Sequence, residues 1–150
     1  MAYLRIILIL AVALPLSGCL TFSPRYEEWV ASSITPASGK GRVYVYRPGL
    51  LPLFGGAYDI YVNEVYLPAT IGPREFIAMD PPAGSITLRI QGGAVVEFVL
   101  EKGEVVYIRI AVSHQLFGPP REYPQVVEAS VGRSEIKGHR LSAEFWVRSE

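Results

Sequence analysis

Apolar positions fall into two regimes along the chain. Ile6–Leu14 is an unbroken apolar run, whereas from Gly41 onward apolar residues recur at alternate positions. Period two marks strands with one buried face. Arg42–Arg47 (Arg-Val-Tyr-Val-Tyr-Arg) is β-branched or aromatic at its centre on both faces, which predicts a strand inside a sheet. Tyr58, Ile60 and Val62 face one way, while Asp59, Tyr61 and Asn63 face the other. Asn63-Glu64 then turns the chain into Val65–Leu67. Arg74–Met79 is the next strand, closed by the turn Asp80-Pro81-Pro82-Ala83-Gly84. Ile86, Leu88 and Ile90 form a face that returns through a Gly92-Gly93 loop to Val96, Phe98 and Leu100. Val106, Ile108, Ile110 and Val112 continue the core. A Pro-rich loop (Phe117–Pro124), a strand Gln125–Val131, a short helix near Arg133–Lys137 and a last strand Glu144–Arg148 complete the pattern. About eight short strands with turns every ~8–12 residues predict a mostly β chain, a single small antiparallel β-sandwich.

The first apolar run has a different meaning. A basic start (Arg5), an apolar stretch of roughly 7–15 residues and small residues behind it describe a secretory signal peptide. A transmembrane span needs about 20 apolar residues, and Ile6–Leu16 holds eleven before Gly18. Leu16-Ser17-Gly18-Cys19 resembles the lipobox of bacterial lipoproteins. That resemblance implies diacylation of the Cys19 thiol, cleavage just before it, and acylation (palmitate) of the freed amine. Two or more acyl chains anchor stably where one does not. The expected organisation is a lipoprotein signal peptide (1–18), a lipidated Cys19 with a flexible tether (19–40) and a β-sandwich domain (41–150). Ser, Thr, Pro and Gly dominate the tether, which would reach about 70 Å if fully extended. Within it, Arg25–Val30 can form one helical turn that lays Tyr26 and Trp29 on the domain. A chain beginning at Lys40 is expected to fold by itself, since ~110 residues suffice for a core.

Composition narrows the function classes. Hydrophobic residues are 50% and charged residues 19%, which excludes intrinsic disorder. Fourteen Lys+Arg balance 14 Asp+Glu, so no basic excess points to nucleic acid. One cysteine excludes an internal disulfide framework. Removing residues 1–18 leaves 132 residues, with 13 basic against 14 acidic side chains. Position 20 is Leu rather than Asp, and resemblance to sorted lipoproteins then implies the outer membrane, facing the periplasm, in a cell with two membranes.

Three pieces in order carry a broader resemblance: Gly41-Arg42-Val43-Tyr44-Val45-Tyr46-Arg47-Pro48, Tyr61-Val62-Asn63-Glu64-Val65, and Pro81-Pro82-Ala83-Gly84 before an alternating strand. Gly103-Glu104-Val105-Val106-Tyr107 adds a fourth, matching a Gly-x-x-Tyr-Tyr strand start with one departure, Val106. The chain is similar to a family of predicted bacterial lipoproteins built on a domain of unknown function. The resemblance covers about residues 16–148 and carries over no catalytic residue.

Candidate chemistry is sparse. His114 and His139 fall in no metal-ligand spacing, and a metal site usually needs three protein ligands. Ser113-His114 with Asp80 or Asp59 could compose a triad, but no nucleophile elbow surrounds any serine. No catalytic residue, metal site or cofactor is therefore expected. Arg47 ends a strand that reads as buried, so its guanidinium must find a carboxylate or carbonyls, or serve as a docking group for an anionic partner. Leu50, Leu51, Leu53 and Phe54 crowd the uncharged loop 48–56, a candidate partner contact or a cap on the sandwich. Tyr44, Tyr46, Tyr58, Tyr61, Tyr66 and Tyr107 could line a sugar-binding surface or simply fill strands. The expectation is a non-enzymatic envelope lipoprotein bound to the membrane through its lipid, with an envelope protein or peptidoglycan as partner. Its alternatives are a carbohydrate- or peptidoglycan-binding module and, less favoured, a hydrolase with an unrecognised site.

Overall fold

Nine strands and two short helices form three layers in the computed structural model, which describes residues 23–33, 35–49, 57–113 and 121–145. In chain order they are α1 (Tyr26–Ser32), β1 (Arg42–Arg47), β2 (Tyr58–Val62), β3 (Val65–Ile71), β4 (Glu75–Met79), β5 (Gly84–Ile90), β6 (Val95–Leu100), β7 (Val105–Ser113), β8 (Arg121–Val127), α2 (Ala129–Glu135) and β9 (Arg140–Phe145). A five-stranded sheet, β8-β7-β1-β4-β9, packs on a four-stranded sheet, β3-β2-β5-β6. The sandwich expected from the alternation is present.

Its strand directions are mixed, however. β1 runs parallel to β7, pairing Arg42 with Val105, and β4 runs parallel to β9, while the other described pairings are antiparallel. Parallel neighbours require a long crossover. Here the second sheet supplies it: between β1 and β7 the chain builds β2, β3, β5 and β6. Alternation assigns a side chain to a face and is silent about the direction of its neighbour.

The core lies in two slabs. Between the sheets Val43, Val45, Ile60, Ile77, Leu88, Ile90, Ile108 and Ile110 are enclosed. On the other face of the large sheet, Tyr44, Tyr46, Phe76 and Tyr107 are covered by Tyr26 and Trp29 from α1 and by Ile136 just beyond α2. This second slab explains why every residue of β1 is buried. Its rings meet edge to face, with Tyr26–Tyr44 at 5.3 Å and Trp29–Tyr44 at 5.6 Å, while Tyr44 and Tyr107 stack at 5.2 Å. Such contacts add to the energy of burial.

Residues 23–33 are thus not tether. Leu141 donates its N–H to the Pro24 carbonyl, Tyr26 N–H reaches the His139 carbonyl, and Trp29 Nε1 donates to Glu144. The folded unit extends back at least to Pro24 rather than starting at Gly41, because Tyr26 and Trp29 bury the face of the large sheet left by the small one. The helix near the C-terminus is also displaced, to Ala129–Glu135, and the strand before it begins at Arg121 and includes Pro124. A Cβ on Gly132 would lie 2.3 Å from the Tyr107 Cβ, so only glycine lets α2 approach β7 this closely. The β5–β6 loop takes in Gln91 besides the two glycines, since Ile90 accepts from Gly93 N–H and donates to the Ala94 carbonyl.

Candidate functional site

Of the residues singled out in the sequence, Cys19, Leu50, Leu51, Leu53, Phe54 and His114 lie outside the described residues. Arg47 is enclosed, at 4% exposure. It pairs with Glu122 at 2.9 Å and lies 4.7 Å from the centre of the Tyr58 ring. The carboxylate option for its guanidinium is realised, and the side chain ties β1 to β8 beneath the surface. Asp80 is held just as firmly. Arg42 grips it with two hydrogen bonds, Nε–Oδ1 at 2.7 Å and Nη2–Oδ2 at 2.8 Å, and both residues are buried. Both oxygens of Asp80 are engaged by Arg42, and the His139 ring faces the Arg47 and Lys137 carbonyls instead. Ser113 Oγ donates to the Arg121 carbonyl. Among the described residues no group of three His, Cys, Asp or Glu could hold a metal ion.

The tyrosine set divides. Tyr44, Tyr46 and Tyr107 are core residues, while Tyr61 and Tyr66 lie side by side on the outer face of the small sheet, 5.5 Å apart and tilted by 53°. Arg89 sits 3.9 Å over the Tyr61 ring and is paired with Glu64. One face of Tyr61 is therefore already covered, which leaves Tyr66 as the only largely exposed ring of the six.

A different locus brings chemistry together. An open cleft of about 380 Å³ is lined by Gly49, Arg74, Arg109, Glu135, Lys137 and His139. These come from the end of β1, the turn before β4, the middle of β7, the end of α2 and the turn into β9. Glu135 is spoken for: one oxygen accepts from Arg109 at 2.9 Å and the other from the Tyr46 hydroxyl at 2.6 Å. Burial and that contact push the Tyr46 phenol well above its usual range, so it stays protonated. The second terminal nitrogen of Arg109 donates to Gln125, while its enclosed Nε has no acceptor among the described residues. Arg74 and Lys137 are exposed, and neither side chain bonds to a described residue.

His139 forms the inner end of the cleft. Its Nε2 lies 3.1 Å from the Arg47 carbonyl, and its Nδ1 faces the Lys137 carbonyl at 3.4 Å. The shorter contact assigns the proton to Nε2. Burial lowers the imidazole's affinity for a second proton, backbone contacts to Lys137, Arg47 and Ile136 oppose that shift, and the Arg74 charge assists it. The folded value lies below 6.5, so between the two values the unfolded chain binds more protons. Stability is full above that pH and falls as pH drops through the window beneath it. We expect the Tm of the wild type to fall more between pH 7.5 and pH 5 than that of His139→Gln, whose amide keeps a donor but cannot charge. Parallel melting curves for the two proteins would show that His139 does not titrate in this way.

The sequence did not reveal this site. Arg74 and Lys137 stand in turns, where basic residues ordinarily face water, and the only local signal is their place beside Gly-Pro and Gly-His. Comparison with protein-family models, with curated proteins and with solved structures found no match for this chain.

Proposed function

We propose that the chain is a lipid-anchored lipoprotein of the bacterial cell envelope whose folded domain binds rather than catalyses. The observation that carries this reading is the placement of Leu16-Ser17-Gly18-Cys19 behind an eleven-residue apolar stretch and directly ahead of the folded unit. Among the described residues, packing reaches back to Pro24, only five positions beyond Cys19. A lipidated Cys19 would hold the domain within ~17 Å of the bilayer, instead of the ~70 Å that an open tether would permit. In a cell with two membranes the Leu at position 20 favours the outer one. The enclosed Arg47 and Asp80 and the covered Tyr61 favour binding through the cationic cleft over a sugar platform or a hydrolytic triad.

Wild type and Cys19→Ser, expressed in a bacterial host, separate the possibilities. The wild type should partition into detergent and incorporate labelled palmitate, and the variant should do neither. A wild type that stays in the aqueous phase without label overturns the anchored reading.

A further inference from the structure

We infer that the cleft between Arg74, Lys137 and His139 is a binding site for a phosphate group. Its charge balance is the first argument. Glu135 neutralises Arg109, so Arg74 and Lys137 line the opening as two cations that form no ion pair among the described residues. The guanidinium and ammonium groups together offer more donors than a carboxylate's two oxygens accept, and they suit the three or four oxygens of a phosphate.

The second argument is the backbone at Arg74. Its φ is +58°, a left-handed conformation that ordinarily falls to Gly or Asn. Two main-chain hydrogen bonds hold it there, Arg74 N–H to the Arg47 carbonyl and Arg140 N–H to the Arg74 carbonyl, each 2.9 Å. A long cation in such a conformation is a local strain, and strain of this kind collects at binding sites. Room is made for its stem: a Cβ on Gly49 would stand 2.6 Å from the Arg74 Cγ, so glycine there lets the chain lie across the mouth of the cleft.

The third argument is position. Gly138 N–H donates to Glu27, and Tyr26 N–H to the His139 carbonyl, so the rim of the cleft adjoins the point where the chain enters the domain. At a lipid-anchored Cys19 that rim stands close to the phosphates of the bilayer, which makes a phosphodiester headgroup the natural source. The phosphate class stands on the cleft alone, and only this choice of source rests on the anchored reading.

Two soluble probes test the assignment without relying on the anchor: inorganic phosphate and glycerophosphoglycerol, a phosphodiester headgroup without acyl chains. Each is titrated into the full chain in detergent at low salt and followed through the amide signals of Gly72, Arg74, Glu75, Lys137, Gly138 and His139. Saturable binding below ~10 mM is expected. Tighter binding of glycerophosphoglycerol identifies a headgroup as the source, and tighter binding of inorganic phosphate identifies a free phosphate or monoester. Lys137→Ala should weaken binding about tenfold, since a charge-assisted hydrogen bond carries at least that factor. Arg74→Gly should do the same while the Tm holds or rises, because glycine relieves the left-handed backbone. Lys102→Ala, an equal charge change in the β6–β7 turn, should leave affinity unchanged. Absence of saturable binding by both probes, or equal losses from Lys102→Ala and Lys137→Ala, overturns the proposal.

Discussion

A chain starting at Lys40 will fail to melt cooperatively, whereas one starting at Ser23 will melt as the full domain does. The truncation removes Tyr26 and Trp29, which are 6% and 4% exposed, and opens the rings of Tyr44 and Phe76 beneath them to water. Burying each of the two lost side chains is worth about 1.5–3 kcal/mol, and the newly wetted faces of Tyr44 and Phe76 add to the loss. Domains of this size are stable by only about 5–15 kcal/mol in total. The hydrogen bond between the Tyr26 and Tyr107 hydroxyls (2.8 Å) and that from Trp29 Nε1 to Glu144 (3.2 Å) go as well. The single substitution Trp29→Ala isolates the packing part and should cost about 3–5 kcal/mol in urea unfolding. A Lys40 chain that melts sharply within a few degrees of the Ser23 chain would show that the helix is only an accessory.

The second large effect belongs to Arg42 and Asp80. Replacing Asp80 by Ala leaves a guanidinium at 5% exposure without its two acceptor oxygens. Losing one partner of a buried pair costs about 3–5 kcal/mol, because the remaining charge keeps its desolvation penalty. Trp29, whose ring centre lies 4.9 Å from the Arg42 Cζ, and Ser33 Oγ at 3.2 Å cannot replace that carboxylate. The double variant Arg42→Met, Asp80→Leu removes both charges and should recover most of the loss. The check is the urea midpoint at unchanged slope. If the double variant is as unstable as the single, the pair stabilises through its geometry rather than through charge compensation.

What could be read from the residues, and what could not, divides along physical lines. Alternation located the strands between Arg42 and Val112 well because burial of one face imposes period two, whereas the last strand begins at Arg140 rather than Glu144. The doubly apolar centre of Arg42–Arg47 correctly foretold a strand covered on both sides. Pro124 misled, since a proline interrupts a ladder. It is tolerated because β8 is an edge strand, whose outward side needs no donor. Gly132 falls between the expected strand Gln125–Val131 and the expected helix near Arg133–Lys137, yet its missing Cβ is what seats α2 on Tyr107. Arg47 was correctly read as a cation that must find a partner, but Glu122 lies 75 positions away and only the fold brings them together. The cleft is less legible still. Its cations are separated by strands of both sheets, and only the order β7-β1-β4-β9 sets them side by side.

The place of β1 bears on how the chain reaches this state. It is the first strand made and the middle of the large sheet, yet its parallel neighbour β7 lies beyond the whole of the small sheet in sequence. Non-local pairing of this kind slows folding. Until it happens, Val43–Tyr46 is an uncharged, β-branched and aromatic segment with both edges open, the composition that seeds intermolecular sheets. Arg42 and Arg47 bracket it. In the unfolded chain their charges keep such segments from one another, as gatekeeper residues do. The two guanidiniums therefore serve twice, first as charges that hold neighbouring chains apart and then, once Asp80 and Glu122 receive them, as the pins at either end of the finished strand.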